Sequence, residues 1–297
     1  MKLEEIKKIG VVGSGLMGAQ IAEVMARVGG YPVVMWDLND ELLRKGFEAI
    51  RGGLKRFFVD KGKMSSQQAE QIVARIRGTT DLAEAAQADF VVEAVMESME
   101  VKRKVFKQLD EAAPPHTCLA SNTSSLNITE MASVTSRPDK VTGMHFFNPV
   151  AVMKLVEVAR GTFSSDETVE LACALARKLE KEPVVCRDTS FGFLANRAHG
   201  AMVREAVEMV WERVATPRDI DKALRLGYNL PMGPFELRDM TGGWGLSVAA
   251  EPEAIKELGA IKGQVHPLIR MMVRAGYPGG RGKKGMYAFW DEVLSRW

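Results

Sequence analysis

Short apolar runs alternate with longer amphipathic stretches through the first two-thirds of the chain. The runs at residues 8–12, 33–37, 90–95, 118–120, 141–145, 155–158 and 184–186 have strand length and composition. Between them, residues 17–28, 40–58, 65–76 and 99–109 carry apolar side chains near helical spacing. Strands alternating with helices predict βαβ units and a largely parallel sheet. After about Arg187 the strand signal stops. Residues 193–214 read as one long helix, and Pro217 and Pro234 each open another. The pattern predicts an α/β domain over residues 1–188 followed by an all-α domain over residues 189–297.

The join between the first strand and the first helix carries the clearest chemistry. Gly13-Ser14-Gly15-Leu16-Met17-Gly18 is a G-x-G-x-x-G run directly after a strand. The first glycine permits the tight turn, the second lets backbone approach a diphosphate, and the third allows close helix–strand packing. The backbone N–H groups of Leu16 and Met17, at the start of the helix, then face the phosphates. A second strand ends at Asp37, nineteen residues after Gly18, where an acid meets the adenosine ribose. Together these features predict a Rossmann-type dinucleotide-binding domain.

Composition narrows the partners. The chain has 297 residues, of which 40 are Lys or Arg and 38 Asp or Glu, a formal charge of +2. So small an excess argues against nucleic acid as a partner. Cys118, Cys173 and Cys186 form no C-x-x-C pair, which disfavours a disulfide framework or a structural zinc site and fits a reducing compartment. No stretch is long and apolar enough for a bilayer, and the first eight residues resemble no targeting signal. A cytoplasmic location and no bound metal are therefore expected.

A proton acceptor at neutral pH is most often histidine, and the chain has four. His116 and His266 lie beside prolines at loop or helix-boundary positions. His145 sits where a strand runs into Phe146-Phe147-Asn148-Pro149, and ligands of open α/β sheets bind outside strand carboxyl ends. His199, mid-helix and three residues after Asn196, competes with it, and a satisfied core histidine is an equal reading of His145. Ser121-Asn122-Thr123-Ser124-Ser125 is either a turn or a hydrogen-bonding wall around cofactor and substrate. Glu157 lies in the apolar run Leu155-Val156-Glu157-Val158. If buried there it needs a partner such as histidine; on an edge strand it would face solvent.

With these residues in place, the chain resembles the L-3-hydroxyacyl-CoA dehydrogenase family, in particular its short-chain 3-hydroxybutyryl-CoA type. The resemblance rests on three blocks in order, residues 120–126, 144–149 and 152–158, and on Met232-Gly233-Pro234-Phe235. It implies an N-terminal NAD domain and a helical C-terminal domain that serves substrate and homodimer formation. It implies NAD as cofactor and oxidation of the 3-hydroxyl of an acyl-CoA. His145 and Glu157, twelve residues apart, carry over as the catalytic pair, with Ser124 and Asn196 beside the substrate oxygen. The cofactor contacts carry over to Gly13, Gly15, Gly18, Asp37, Glu97, Lys102, Ser124 and Asn148. Lys55 and Arg56 are candidates for the coenzyme A phosphates, or members of a solvated basic face with Lys61 and Lys63. Another hydroxyacyl-CoA with an aromatic or cyclic acyl group, a free 3-hydroxy acid, or a non-catalytic dinucleotide-binding protein are the competing readings. The two domains fill the chain, so no hydratase half is expected.

The chain departs from the family pattern in places. Residues 188–193 lack the usual proline and carry one extra residue; Ala151 replaces a usual proline; and the tail reads Gly280-Arg281-Gly282-Lys283-Lys284-Gly285. Trp244, flanked by glycines, either shapes an acyl pocket or belongs to the core. Asp37 yields the first prediction: its charge repels a ribose 2′-phosphate, so catalytic efficiency with NAD should exceed that with NADP. Equal efficiencies in steady-state assays would contradict it.

Overall fold

The first apolar run folds as β1 (Ile9–Val12), with every residue buried. It is the centre of a sheet in a computed structural model that describes residues 1–189 and 191–296. The chain divides into two compact units, Met1–Thr189 and Ser190–Trp297. In the first, α1 (Leu16–Arg27), β2 (Val33–Trp36), α2 (Asp40–Leu54), α3 (Ser66–Val73), β3 (Ile76–Thr79), α4 (Leu82–Ala86), β4 (Phe90–Glu93), α5 (Met99–Ala112), β5 (Cys118–Ser121), α6 (Ile128–Ala132) and β6 (Val141–Gly143) follow β1. The strands lie in the order β3-β2-β1-β4-β5-β6, and every neighbouring pair is parallel. Strand order reverses between β1 and β4. That opens a crevice beyond their carboxyl ends, the usual ligand site of such sheets.

A second, three-stranded sheet holds β7 (His145–Phe146), β8 (Leu155–Arg160) and, after α7 (Asp166–Lys178), β9 (Glu182–Arg187). Here β7 runs antiparallel to β8, and β8 parallel to β9. The pattern of residues 141–145 predicts one strand, but the structure divides it. Gly143 ends the main sheet, and Met144 carries the chain into the second. A Cβ at Gly143 would lie 2.7 Å from the Ala159 side chain, so the close approach of β8 needs a glycine there.

Residues 65–76 also depart from the predicted single helix. The helix stops at Val73, and Ile76 pairs with Val33 as the start of β3. Ile76 satisfies helical spacing after Ile72 and Val73, and only the neighbouring β2 settles its state. Residues 40–58 form α2 and then one wider helical turn, Lys55–Val59.

The second unit is helical: α8 (Ala195–Trp211), α9 (Pro217–Tyr228), α10 (Pro234–Thr241), α11 (Gly243–Gly263), α12 (Pro267–Arg274) and α13 (Met286–Glu292). Thr216 caps α9, and prolines open α9, α10 and α12 at positions where no N–H is needed. Val203, Val207, Val210, Phe235, Trp244 and Phe289 form its core. Trp244 is fully buried, stacks on Phe235 and donates to Asp239 Oδ1 at 2.6 Å, which makes it core rather than the wall of an acyl pocket. Among the described residues no helix is long and apolar enough to cross a membrane.

Candidate active site

The three glycines after β1 meet different surroundings. Gly13 has φ +104°, and a Cβ there would lie 2.6 Å from the Ala94 carbonyl at the end of β4. A Cβ on Gly18 would lie 1.8 Å from the Gly13 carbonyl. A Cβ on Gly15 would meet nothing within 4 Å. The first and third glycines therefore let the protein close on itself, while the second faces open space. Gly15 is the N-cap of α1 and offers no side chain, so the N–H groups of Leu16, Met17 and Gly18 have no side-chain cap. Such an uncapped helix start is a cradle that an anionic group such as a diphosphate can occupy. At its edge, Asp37 Oδ2 accepts from the Ser14 N–H and hydroxyl, each at 2.7 Å, and Oδ1 accepts from the Leu38 N–H. The carboxylate is thereby held beside the loop.

Beyond β4 and β5 the sequence-based reading missed one residue. Glu93, the last residue of β4, is fully buried. Its Oε1 accepts from Lys102 Nζ at 2.6 Å and from the Val95 N–H at 2.7 Å, and its Oε2 accepts from the Ser121 hydroxyl at 2.6 Å. Lys102 is 1% exposed and also lies 3.3 Å from Glu97 Oε2. Glu97 Oε1 accepts from the Thr123 hydroxyl, the Ser124 N–H and the Ser125 hydroxyl. The structure thus brings Glu97, Lys102 and Ser124 together and adds Glu93 beneath them. An acid closing the apolar run Phe90-Val91-Val92 was the available signal, the same one that drew attention to Glu157.

His145 and Glu157 occupy opposing positions of the β7–β8 pair, so their side chains leave the same face. His145 Nδ1 lies 2.8 Å from Glu157 Oε2; Glu157 is fully buried and His145 nearly so. The Phe147 ring packs against the imidazole with centroids 4.5 Å apart. The strand is tied to the hydroxyl-rich loop. The Phe146 N–H donates to Asn122 Oδ1 at 2.9 Å, and the Met144 N–H to the Ser121 carbonyl at 2.8 Å. Since a carboxylate only accepts, Nδ1 carries the hydrogen, and in the neutral ring Nε2 is then the acceptor nitrogen. Nearby on β9, burial first and then the charges of Glu157 and Asp188 push the Cys186 thiol up to about 11.

The other histidines lack a buried carboxylate partner. His116 Nε2 meets Asp89 at the surface, and His266, N-cap of α12, accepts the Leu268 N–H at Nδ1 and faces exposed Glu208 with Nε2 at 3.1 Å. His199 Nε2 is buried with no hydrogen-bond partner among the described residues, and burial with the Arg238 charge lowers the imidazole to about 4. So weak a base is poorly matched to proton abstraction at neutral pH. Asn196 lies exposed in the first turn of α8, within the second unit. Asn148 is exposed and accepts from Gln20 Nε2 at 3.0 Å. Lys55 and Arg56 are exposed; Lys55 pairs with Asp60 at 2.9 Å, and Arg56 lies over the Phe57 ring.

Nucleotide-binding crevice, glycine cradle and buried histidine–carboxylate pair define a dehydrogenase, and comparison with known proteins gives its family. Residues 8–189 match the 3-hydroxyacyl-CoA dehydrogenase NAD binding domain, and residues 192–289 match the C-terminal domain of the same family. The chain belongs to the 3-hydroxyacyl-CoA dehydrogenase family, and its cofactor is NAD. It is 44% identical over 289 residues to a probable 3-hydroxybutyryl-CoA dehydrogenase of Bacillus subtilis, covering 97% of this chain and 99% of that one. It is 39% identical to a 3-hydroxybutyryl-CoA dehydrogenase of Clostridioides difficile, covering 95% and 99%. The crystal structure of (S)-3-hydroxybutyryl-CoA dehydrogenase from Ralstonia eutropha superposes with a TM-score of 0.86 at 38% identity, covering 95% of this chain and 98% of that one.

The glycine geometry separates folding from binding. Gly18→Ala should lower the melting temperature, because its Cβ collides with backbone. Gly15→Ala should melt like the wild type yet bind NADH more weakly, because its methyl occupies the cradle. Equal melting temperatures for the two variants would contradict this division.

Proposed function

We propose that this protein oxidises the 3-hydroxyl of a short-chain L-3-hydroxyacyl-CoA, with 3-hydroxybutyryl-CoA as the representative substrate, and that His145 is the general base. The observation that carries the reading is the Nδ1 contact of His145 with buried Glu157, which leaves Nε2 as the acceptor. NAD, when bound along the glycine loop, supplies the hydride acceptor for C3. His145 Nε2 takes the hydroxyl proton as that carbon is oxidised. Glu157 holds the ring in the correct tautomer and stabilises the imidazolium that forms. The Ser124 hydroxyl and the Asn196 amide hold the oxygen as it becomes a carbonyl. Asp37, Glu97, Lys102, Asn148 and the Gly13–Gly18 loop hold the cofactor. Lys55 and Arg56 meet the coenzyme A phosphates; an exposed pair such as Lys55–Asp60 is weak enough to exchange partners.

The same reading extends to assembly and location. Trp211, Val214, Leu226 and Tyr228 expose apolar surface on the helical unit, which supports homodimer formation through that unit. Cys118, Cys173 and Cys186 are buried free thiols, in keeping with a reducing cytoplasm.

The test is NADH formation from NAD and 3-hydroxybutyryl-CoA, with the free acid in parallel. The CoA ester should be the faster substrate. His145→Gln should lower turnover about a hundredfold or more while sparing NADH affinity. Near-normal turnover in that variant, with collapse in His199→Gln, would reverse the assignment.

A further inference from the structure

We infer that Gln20 is a positioning residue that locks the Asn148 side chain with its N–H2 end offered to an oxygen of the bound dinucleotide. The inference rests on the functional reading above, in which NAD lies along the glycine loop and His145 takes the proton.

The hydrogen-bond pattern fixes both amides. The Val150 N–H can only donate, so the Gln20 atom 2.9 Å from it is Oε1. The Leu16 carbonyl can only accept, so the Gln20 atom 3.0 Å from it is Nε2. Two backbone groups of opposite character therefore define which end of Gln20 is which. The second hydrogen of Nε2 points at Asn148, 3.0 Å away, and the atom receiving it must be Oδ1. Asn148 Nδ2 then lies on the opposite branch of its amide, where no acceptor among the described residues takes it.

Location identifies the acceptor. Gln20 stands one turn after Leu16, the first residue of α1, whose N-terminus faces the cradle at Gly15. Asn148 lies three residues after His145 in the loop joining β7 to β8. The Asn148 donor thus sits between the diphosphate-binding helix and the strand bearing the proton acceptor. On the proposed reading that interval holds the reactive half of the cofactor, rich in ribose hydroxyl and carboxamide oxygens. The loop backbone has a separate anchor. Lys181 Nζ, just before β9, donates to the Val150 and Met153 carbonyls at 2.5 and 2.9 Å. Loss of Gln20 therefore frees the Asn148 amide to flip and removes the acceptor of the Val150 N–H, while Lys181 still holds the loop.

The test measures NADH affinity by fluorescence titration in wild type, Gln20→Met, Asn148→Ala and the double variant, with thermal melts to confirm folding and Gln20→Ala as a second replacement. Each single change should weaken binding roughly five- to tenfold, the worth of one hydrogen bond. The double variant should bind no more weakly than Asn148→Ala alone, because Gln20 acts through Asn148. In kinetics, KM for NAD should rise more than kcat falls. A purely structural Gln20 would instead add its effect to that of Asn148→Ala, whatever the melting temperature does for want of the Val150 bond. If the wild type binds NADH while Gln20→Met is unchanged or additive, the assignment is overturned alone. If the wild type binds no NADH, the functional reading falls and the assignment falls with it.

Discussion

A carboxylate with no solvent-exposed surface must find donors inside the protein, and Glu157 finds one directly across the strand pair in His145. Much of the local architecture serves that meeting. The chain leaves the parallel sheet at Gly143, crosses at Met144 and turns antiparallel to β8, which sets residues 145 and 157 opposite each other. The glycine at 143 admits β8 closely enough for the two sheets to abut. The same few residues bind β7 to the loop after β5 through Asn122 and Ser121. A register slip of one residue would turn Glu157 to the other face and leave the imidazole without its brace.

A second charge network stiffens the carboxyl edge of the main sheet. Glu93 and Lys102 are a buried ion pair whose hydrogen bonds reach the strand that follows, and Glu97 carries the connection to the hydroxyl-rich loop. Buried pairs are poor sources of net stability, because desolvation offsets their attraction. Their geometric demand is strict, however, and here it joins the loops after β4 and β5.

The sequence reveals the fold class because its signals are local. Alternating strands and helices, a glycine run in a tight turn and an acid at the end of β2 are all visible within short windows. What it hides depends on distant neighbours. Ile76 fits a helix and a strand equally, and only β2 decides. The division of residues 141–145 between two sheets depends on β8, which follows later in the chain. The acid in an apolar run is legible at Glu157, but the equivalent position of Glu93 passes unnoticed because the resemblance assigns its partner, Lys102, to the cofactor instead. Trp244 among glycines reads equally as pocket wall or core, and the stacking of Phe235 places it in the core.

The carboxylate that braces the imidazole also bears on a sulfur. Glu157 lies on the strand beside the one that carries Cys186, and burial first, then the charges of Glu157 and Asp188, hold that thiol above its ordinary range. A thiol kept protonated is a weak nucleophile. One small sheet therefore carries both an imidazole and a chemically quiet sulfur.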